Sequence, residues 1–165
     1  MVKESINLSD YPNIINGINF KIVEQDDINF NCIAHSLGIR NMSIWPAKLE
    51  LWVWDKTLPY GNTINNFVNL YRKFNYEICE DSSWEPEYDK IALYISVLSG
   101  KDTVSHAAKQ IDSYWWSSKM GGDELFEHDL EAIENKNVGT KYVFLKRPKN
   151  LSSLVPNIEF FIKNN

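Results

Sequence analysis

Residues 91–97 form a short segment that is apolar except for Ser96, and this segment constrains the fold more than any other part of the sequence. It is much shorter than the roughly 18 to 20 residues that span a bilayer, and it is typical of a strand buried in a protein core. Turn-forming residues at 100–102 follow it, and a second strand-like segment occupies 103–111. A turn at Asp112 then precedes a third such segment, 114–119. The sequence therefore predicts three consecutive antiparallel strands.

Helical patterns flank these strands. A short helix is expected to begin near residues 29–31 and to end at Gly38, because Asn is a good N-cap and Gly a good C-terminal stop. A second helix should begin at Asn62, with apolar residues at helical spacing: Ile64, Phe67, Val68, Tyr71 and Phe74. A final strand is expected at residues 141–146. Together these elements predict an α+β domain.

A third helix is expected after a break at residues 121–123. Its apolar side would carry Leu125, Phe126, Leu130 and Ile133. Its solvated side would carry Glu124, Glu127 and His128, although any of these three could lean toward a site on the neighbouring strands.

Length and composition indicate one globular domain, because the chain has 165 residues of which 44% are hydrophobic. We expect an N-terminal arm at 1–20, the domain at 21–147 and a C-terminal extension at 148–165, packed on the domain or trailing it. The net charge of -5, without a run of Lys or Arg, argues against a nucleic-acid partner. We find neither a signal peptide nor a transmembrane segment. A cytoplasmic protein without a membrane partner is expected, and delivery to another cell by a dedicated system is left open.

The two cysteines have different surroundings. With two Cys, three His and no C-x-x-C pair, the sequence predicts neither a disulfide framework nor a metal site, and no cofactor. Cys32 falls in the first turn of the first predicted helix, where the partial positive charge of the helix terminus lowers a thiol pKa. Cys79 precedes two acidic residues, which raise a thiol pKa, so a structural role or no particular role is expected for it.

His106 lies on the second predicted strand between small residues, which leave room for another group to approach the imidazole. A cysteine at a helix start that faces a histidine on a neighbouring strand recurs in thiol hydrolases. The alternative is that Cys32 is a buried apolar residue and His106 a structural one.

A third group should hold the imidazole of a catalytic histidine in one tautomer. If the loop before the third strand has two residues, Ser117 and Lys119 share the face of His106. If that loop is odd in length or bulged, Trp116 and Ser118 share it. The residues alone leave this choice open.

Further groups could complete such a site. The backbone N–H of Cys32 and the side chain of Asn31 are candidate donors to a developing oxyanion, although capping the helix would occupy Asn31. Trp45 and Trp116 are candidate walls for a substrate, and core packing is their alternative role.

The chain resembles an uncharacterised bacterial family in the order of four motifs, over about residues 20–146. The motifs in this sequence are N-C-I-A-H-S-L-G, E-P-E-Y-D-K-I-A-L-Y, H-A-A-K-Q and W-S-S-K-M-G. Members of the family share N-C-[IL]-A-W-x-x-G, E-P-x-x-x-K-[IV]-A-L-Y, H-[AV]-[AS]-[RK]-Q and W-x-S-K-[LM]-G. His35 stands where the family has Trp.

The layout is also similar to compact papain-like peptidases of the NlpC type, in which a Cys opens a helix and a His begins a strand. A polar residue follows twelve positions after that His, which is Ser118 here, and Asn31 replaces the Asp that precedes the Cys. The resemblance implies a papain-like fold, with the Cys-bearing helix packed on a small antiparallel sheet.

The same resemblance implies a thiol-dependent hydrolase or acyltransferase that acts on an amide bond of a peptide or protein, as a peptidase, amidase or deamidase does. Cys32 would be the nucleophile, His106 the base and Ser118 the group that orients His106. The alternative function is a non-catalytic protein-binding or immunity-type module on the same scaffold.

Overall fold

The structure is a computed structural model that describes residues 6–24, 27–120, 124–152 and 158–163. Within these ranges a seven-stranded antiparallel sheet has the spatial order β1 (Phe20–Glu24), β8 (Leu125–Asp129), β7 (Trp115–Lys119), β6 (Lys101–Gln110), β5 (Tyr88–Leu98), β9 (Lys141–Pro148), β4 (Glu77–Cys79). A second sheet has the order β10 (Phe161–Lys163), β3 (Trp52–Asp55), β2 (Ser43–Ile44). The helices are α1 (Cys32–Ser36) and α2 (Ile64–Arg72). Short 3-10 turns occupy Leu8–Asp10, Lys149–Leu151 and Ile158–Phe160. The α+β class is therefore confirmed.

The three predicted consecutive strands are β5, β6 and β7, and they form the centre of the large sheet. Ser99 and Gly100 connect β5 to β6 with positive φ angles of 52° and 76°, as a tight hairpin turn requires. The β5–β6 register shifts between Tyr94 and Ile95, which makes Ser105 the extra residue of a bulge. The bulge lies immediately before His106 and so affects the direction of that side chain.

Both predicted N-terminal helices are present. Asn31 caps α1 through a hydrogen bond from Ala34 N–H, and Gly38, with a φ of 76°, follows its last turn. The cap of α2 is Thr63, whose side chain accepts from Asn66 N–H, rather than the expected Asn62. Asn62 instead donates from its side chain to the backbone oxygen of Val104 on β6. Within the described ranges, neither helix has the length and apolar composition needed to cross a membrane.

The expected third helix is wrong, because Leu125–Asp129 is the strand β8. Apolar residues at 125, 126, 130 and 133 fit helical spacing, but β8 pairs with β1 on one side and with β7 on the other. This long-range pairing outweighs the local pattern. Phe126 and His128 consequently point to the same face and are both buried. The break expected at residues 121–123 lies outside the described residues.

Two apolar cores lie against the large sheet, and neighbouring residues of β5 and β6 contribute to different cores. The helix-side core includes Cys32, Ile33, Phe67, Tyr71, Leu93 and Ala107. The arm-side core includes Phe20, Ala92, Tyr94, Ala108, Trp116 and Phe126. Leu8, Tyr11 and Ile14 of the N-terminal arm pack against the arm-side core. At the C-terminal end, β10 pairs with β3, and Phe161 stacks on Phe74.

Candidate functional site

The start of α1 is held in place by the side chain of Asn31. Its Oδ1 accepts from the backbone N–H of Ala34 at 3.2 Å and from that of Ile44 at 3.1 Å. Its Nδ2 donates to the backbone oxygen of Ile44 at 2.8 Å. Asn31 therefore ties the helix start to β2. These contacts make it a support for the neighbouring Cys32 and do not direct it toward a substrate oxyanion.

Cys32 occupies the first position of α1, as expected, with a buried side chain that is 6% exposed. Burial raises the pKa of its thiol to about 11, because the thiolate loses its solvation. Interactions with the backbone N–H groups of Ala107 and Ile33 lower the pKa, and so does the positive charge of Lys119, but burial outweighs them. The thiol is therefore protonated at neutral pH, although the groups around the sulfur favour a negative charge.

His106 lies on β6 and is 1% exposed. Its ring packs edge-on against Tyr94, with 5.4 Å between ring centroids, and its Nε2 lies 2.9 Å from the hydroxyl of Ser118. The pKa of His106 is lowered to about 3, mainly by burial and to a smaller extent by the nearby His128 and His35. The imidazole is therefore neutral over the physiological pH range.

Ser118 is the polar group beside His106, and the loop length explains why. Gln110 pairs with Trp116, so an odd number of residues, 111–115, separates the paired positions of β6 and β7. Side-chain alternation then places Ser118 on the face of His106. Ser117 instead hydrogen-bonds to Nε2 of His35 at 2.7 Å.

Lys119, the other alternative, also lies away from His106. Its Nζ donates to the backbone oxygen of Asp27 and lies 4.6 Å from the centre of the Phe30 ring. The contact that orients His106 is therefore made by Ser118.

His128 is also a member of this cluster, although the sequence predicts it on the solvated side of a third helix, from which it could lean toward the site. Its Nε2 lies 2.7 Å from the Ser118 hydroxyl, and its Nδ1 lies 2.8 Å from the backbone oxygen of Asp129. Burial lowers the pKa of His128 to about 4. The alternation of Phe126 and His128 in the sequence is a strand signal that could have identified this residue.

The side chains of Cys32 and His106 lie on opposite faces of the large sheet. Cys32 packs beside Ala107 in the helix-side core, whereas the His106 ring contacts Tyr94 of the arm-side core. In the described residues no hydrogen bond joins the Cys32 sulfur to the His106 ring. The expected direct contact is therefore not formed. The physical reason is that adjacent residues of a strand point to opposite faces, so His106 turns away from the face that Ala107 presents to α1.

The two candidate substrate walls lie in different cores. The centroid of the Trp45 ring lies 5.4 Å from that of Phe67 and 6.3 Å from that of Trp52, on the helix side. Trp116 is buried in the arm-side core, 6.4 Å from Phe144. Trp116 is thus a core residue, and Trp45 is a partly buried ring whose chain neighbour Ile44 is bonded to Asn31.

The described residues contain no group of three or more His, Cys, Asp and Glu side chains placed to hold a metal ion. No curated protein and no solved structure shows significant similarity to the chain. A family profile does match, over residues 21–146, which is most of the chain. The protein belongs to the family described as a domain of unknown function, DUF7689.

Proposed function

We propose that this protein is a thiol-dependent hydrolase or acyltransferase with a papain-like, NlpC-type arrangement, acting on an amide bond. Cys32 would attack the carbonyl carbon and His106 would accept the thiol proton. Ser118 would hold the imidazole in place. The substrate would be a peptide or another molecule with an amide bond.

The observation that carries this proposal is the hydrogen bonding of His106. A series of hydrogen bonds runs from the backbone oxygen of Asp129 through His128 and Ser118 to Nε2 of His106. Because the carbonyl oxygen can only accept, this series places a proton on Nε2 of His106. Nδ1 is then left with a lone pair, which is what a general base needs. The sulfur of Cys32 interacts with the N–H of Ala107, the residue that follows His106.

In the proposed chemistry His106 first accepts a proton from Cys32 and then donates it to the departing amine. The Cys32 sulfur forms a bond to the carbonyl carbon while its proton passes to Nδ1 of His106. The carbonyl oxygen becomes an oxyanion, and the N–H of Cys32 at the helix start is the proposed donor to it. The imidazolium then protonates the departing amine as the C–N bond breaks, which leaves a thioester. Water releases an acid from this thioester, and an amine releases a new amide.

Because the thiol is protonated and the imidazole neutral, this transfer would accompany the attack rather than precede it. Catalytic hydrogen bonds are often long in a free enzyme and shorten when substrate binds. Because Cys32 and the His106 ring lie on opposite faces of the large sheet, the proposal requires β6 to rearrange at the Ser105 bulge, so that Nδ1 of His106 reaches the Cys32 sulfur in the complex with substrate.

A competition between the two cysteines tests the proposal. The wild-type protein and His106→Ala would be exposed to iodoacetamide near neutral pH, with the labelling of each cysteine followed by peptide mass spectrometry. Cys79 is the internal control, since it is partly exposed and burial raises its pKa. We expect Cys32 to react faster than Cys79 and to slow by about tenfold or more in His106→Ala. Labelling of Cys32 that is slower than that of Cys79, or equal in both proteins, would overturn the proposal.

A second candidate, the non-catalytic protein-binding or immunity-type module, is favoured by the burial of the same groups. Cys32, His106 and Ser118 are 6%, 1% and 0% exposed, and Cys32 and His106 contact different cores. If these residues serve only to stabilise the fold, Cys79 should be labelled first. Cys32 should then react only in urea concentrations that unfold the chain.

A further inference from the structure

Three buried side chains form a continuous hydrogen-bonded chain across β6, β7 and β8. His106 Nε2 lies 2.9 Å from Ser118 Oγ, which lies 2.7 Å from His128 Nε2. His128 Nδ1 lies 2.8 Å from the backbone oxygen of Asp129. None of the three side chains is more than 1% exposed. At one end of this series of hydrogen bonds is the backbone carbonyl of Asp129, which can accept a hydrogen bond but cannot donate one.

That carbonyl fixes the direction of every bond in the chain. A carbonyl oxygen only accepts, so the Nδ1 of His128 carries a proton. In a neutral imidazole the other nitrogen, Nε2, then has a lone pair and accepts from the Ser118 hydroxyl. The hydroxyl has one hydrogen, so its oxygen must accept from His106, whose proton lies on Nε2.

Two features of the surroundings support this assignment. Burial lowers the pKa of both His106 and His128, so that each is neutral near pH 7. The Tyr94 ring contacts His106, but its hydroxyl donates to the backbone oxygen of Leu130 and therefore does not compete for the imidazole.

We propose that His128 is a positioning residue: acting through Ser118, it holds His106 in the tautomer that leaves Nδ1 unprotonated. The tautomer assignment depends only on the three hydrogen bonds described above. The importance of that tautomer for thiol chemistry rests on the function proposed above. The effect is directional, because His128 accepts the one hydrogen that Ser118 could otherwise donate to His106.

Imidazole nitrogen NMR of the folded, full-length protein tests the tautomer directly. We expect the proton of His106 on Nε2 and that of His128 on Nδ1. In His128→Phe, the Ser118 hydroxyl loses its acceptor and can donate to His106 Nε2, so the His106 proton should move to Nδ1. His128→Gln keeps an acceptor oxygen near the original Nε2 position and should restore the wild-type tautomer.

Ser117→Ala is the matched control. It removes the other histidine contact of β7, that with His35, and should leave the His106 tautomer unchanged. A His106 proton on Nδ1 in the wild type would overturn the proposal without any variant. An unchanged tautomer in His128→Phe would overturn it as well, and Ser118→Ala, which also interrupts the hydrogen bonds between the two histidines, replaces that variant if it does not fold.

Iodoacetamide labelling separates this inference from the proposed function. If both hold, labelling of Cys32 should slow by about tenfold in His128→Phe and recover in His128→Gln. If the tautomer responds as expected but Cys32 labelling does not depend on His106, the thiol-enzyme proposal fails and the tautomer assignment stands.

Discussion

Adjacent serines of β7 bind histidines on opposite faces of the sheet, and the two contacts differ in kind. Ser117 makes one hydrogen bond to His35 and so joins α1 to the sheet. Ser118 binds both His106 and His128 and so joins three neighbouring strands. The helix-side contact can be lost without leaving a fully buried group unpaired, since His35 is only partly buried. Loss of the arm-side contacts leaves fully buried groups unpaired. Substitutions on the arm side should therefore lower the free energy of unfolding more than those on the helix side.

Acid should have the largest effect on the free energy of unfolding, because all three histidines have a lowered pKa, one on the helix side and two on the arm side. The pKa values are about 4 for His35, about 3 for His106 and about 4 for His128, against an ordinary value of 6.5. The folded state thus binds fewer protons than the unfolded state. Stability is fully present above pH 6.5 and is lost as the pH falls toward 4, by about 1.4 kcal/mol per pH unit for each histidine. Urea unfolding across this pH range measures the slope.

The His35→Gln variant divides this pH dependence between the two faces. About two thirds of the slope should remain, because His106 and His128 still resist protonation. If the free energy of unfolding is constant between pH 6.5 and 5, the histidines are not buried as neutral groups.

Removal of each serine hydroxyl is the next largest test. Ser118→Ala leaves two buried imidazoles without their partner, which should cost about 2 to 6 kcal/mol at neutral pH. Ser117→Ala leaves one partly exposed imidazole, and about 1 kcal/mol or less is expected. Chemical denaturation of the two variants gives this comparison directly. Equal losses would show that the two faces do not differ in the way that their hydrogen bonding indicates.

The comparison also separates what the sequence could predict from what it could not. The features that were predicted depend on local signals: Asn31 caps α1, Gly38 ends it, and the β5–β6 hairpin turns at Gly100. The position of Ser118 was one of two alternatives, because the sequence did not determine whether the loop after β6 is odd in length.

The features that were missed depend on long-range pairing. β8 is a strand because β1 and β7 lie on either side of it, and no window of local sequence contains those partners. His128 enters the buried chain only through that pairing. The direction of His106 likewise depends on the register of β5 and β6 and on the bulge at Ser105. A contact of Cys32 with His106 could therefore not be judged from spacing alone.

On the helix side, replacing Asn31 should lower the free energy of unfolding clearly, because its side chain makes three buried hydrogen bonds. Asn31→Ala removes the cap of α1 and leaves the backbone N–H and C=O of Ile44 without their buried partner, which should cost about 2 kcal/mol. Asn31→Ser keeps a hydroxyl oxygen that caps the Ala34 N–H and loses the contacts with Ile44, so its loss should be smaller. Thermal unfolding ranks the two variants, and a Ser variant that is less stable than the Ala variant would contradict the assigned cap.

The smallest effect expected is at the start of α2, where two neighbouring residues compete for the capping role. Thr63→Ala removes the side-chain acceptor of the Asn66 N–H and should cost about 1 kcal/mol. Asn62→Ala removes a 3.3 Å hydrogen bond to Val104 O that is only partly buried, and a cost of about 0.5 kcal/mol is expected. Because the two substitutions are adjacent and similar in size, a difference in the free energy of unfolding reports the cap itself. A larger loss at Asn62 would show that helix-side stability depends more on the connection to β6 than on the helix end.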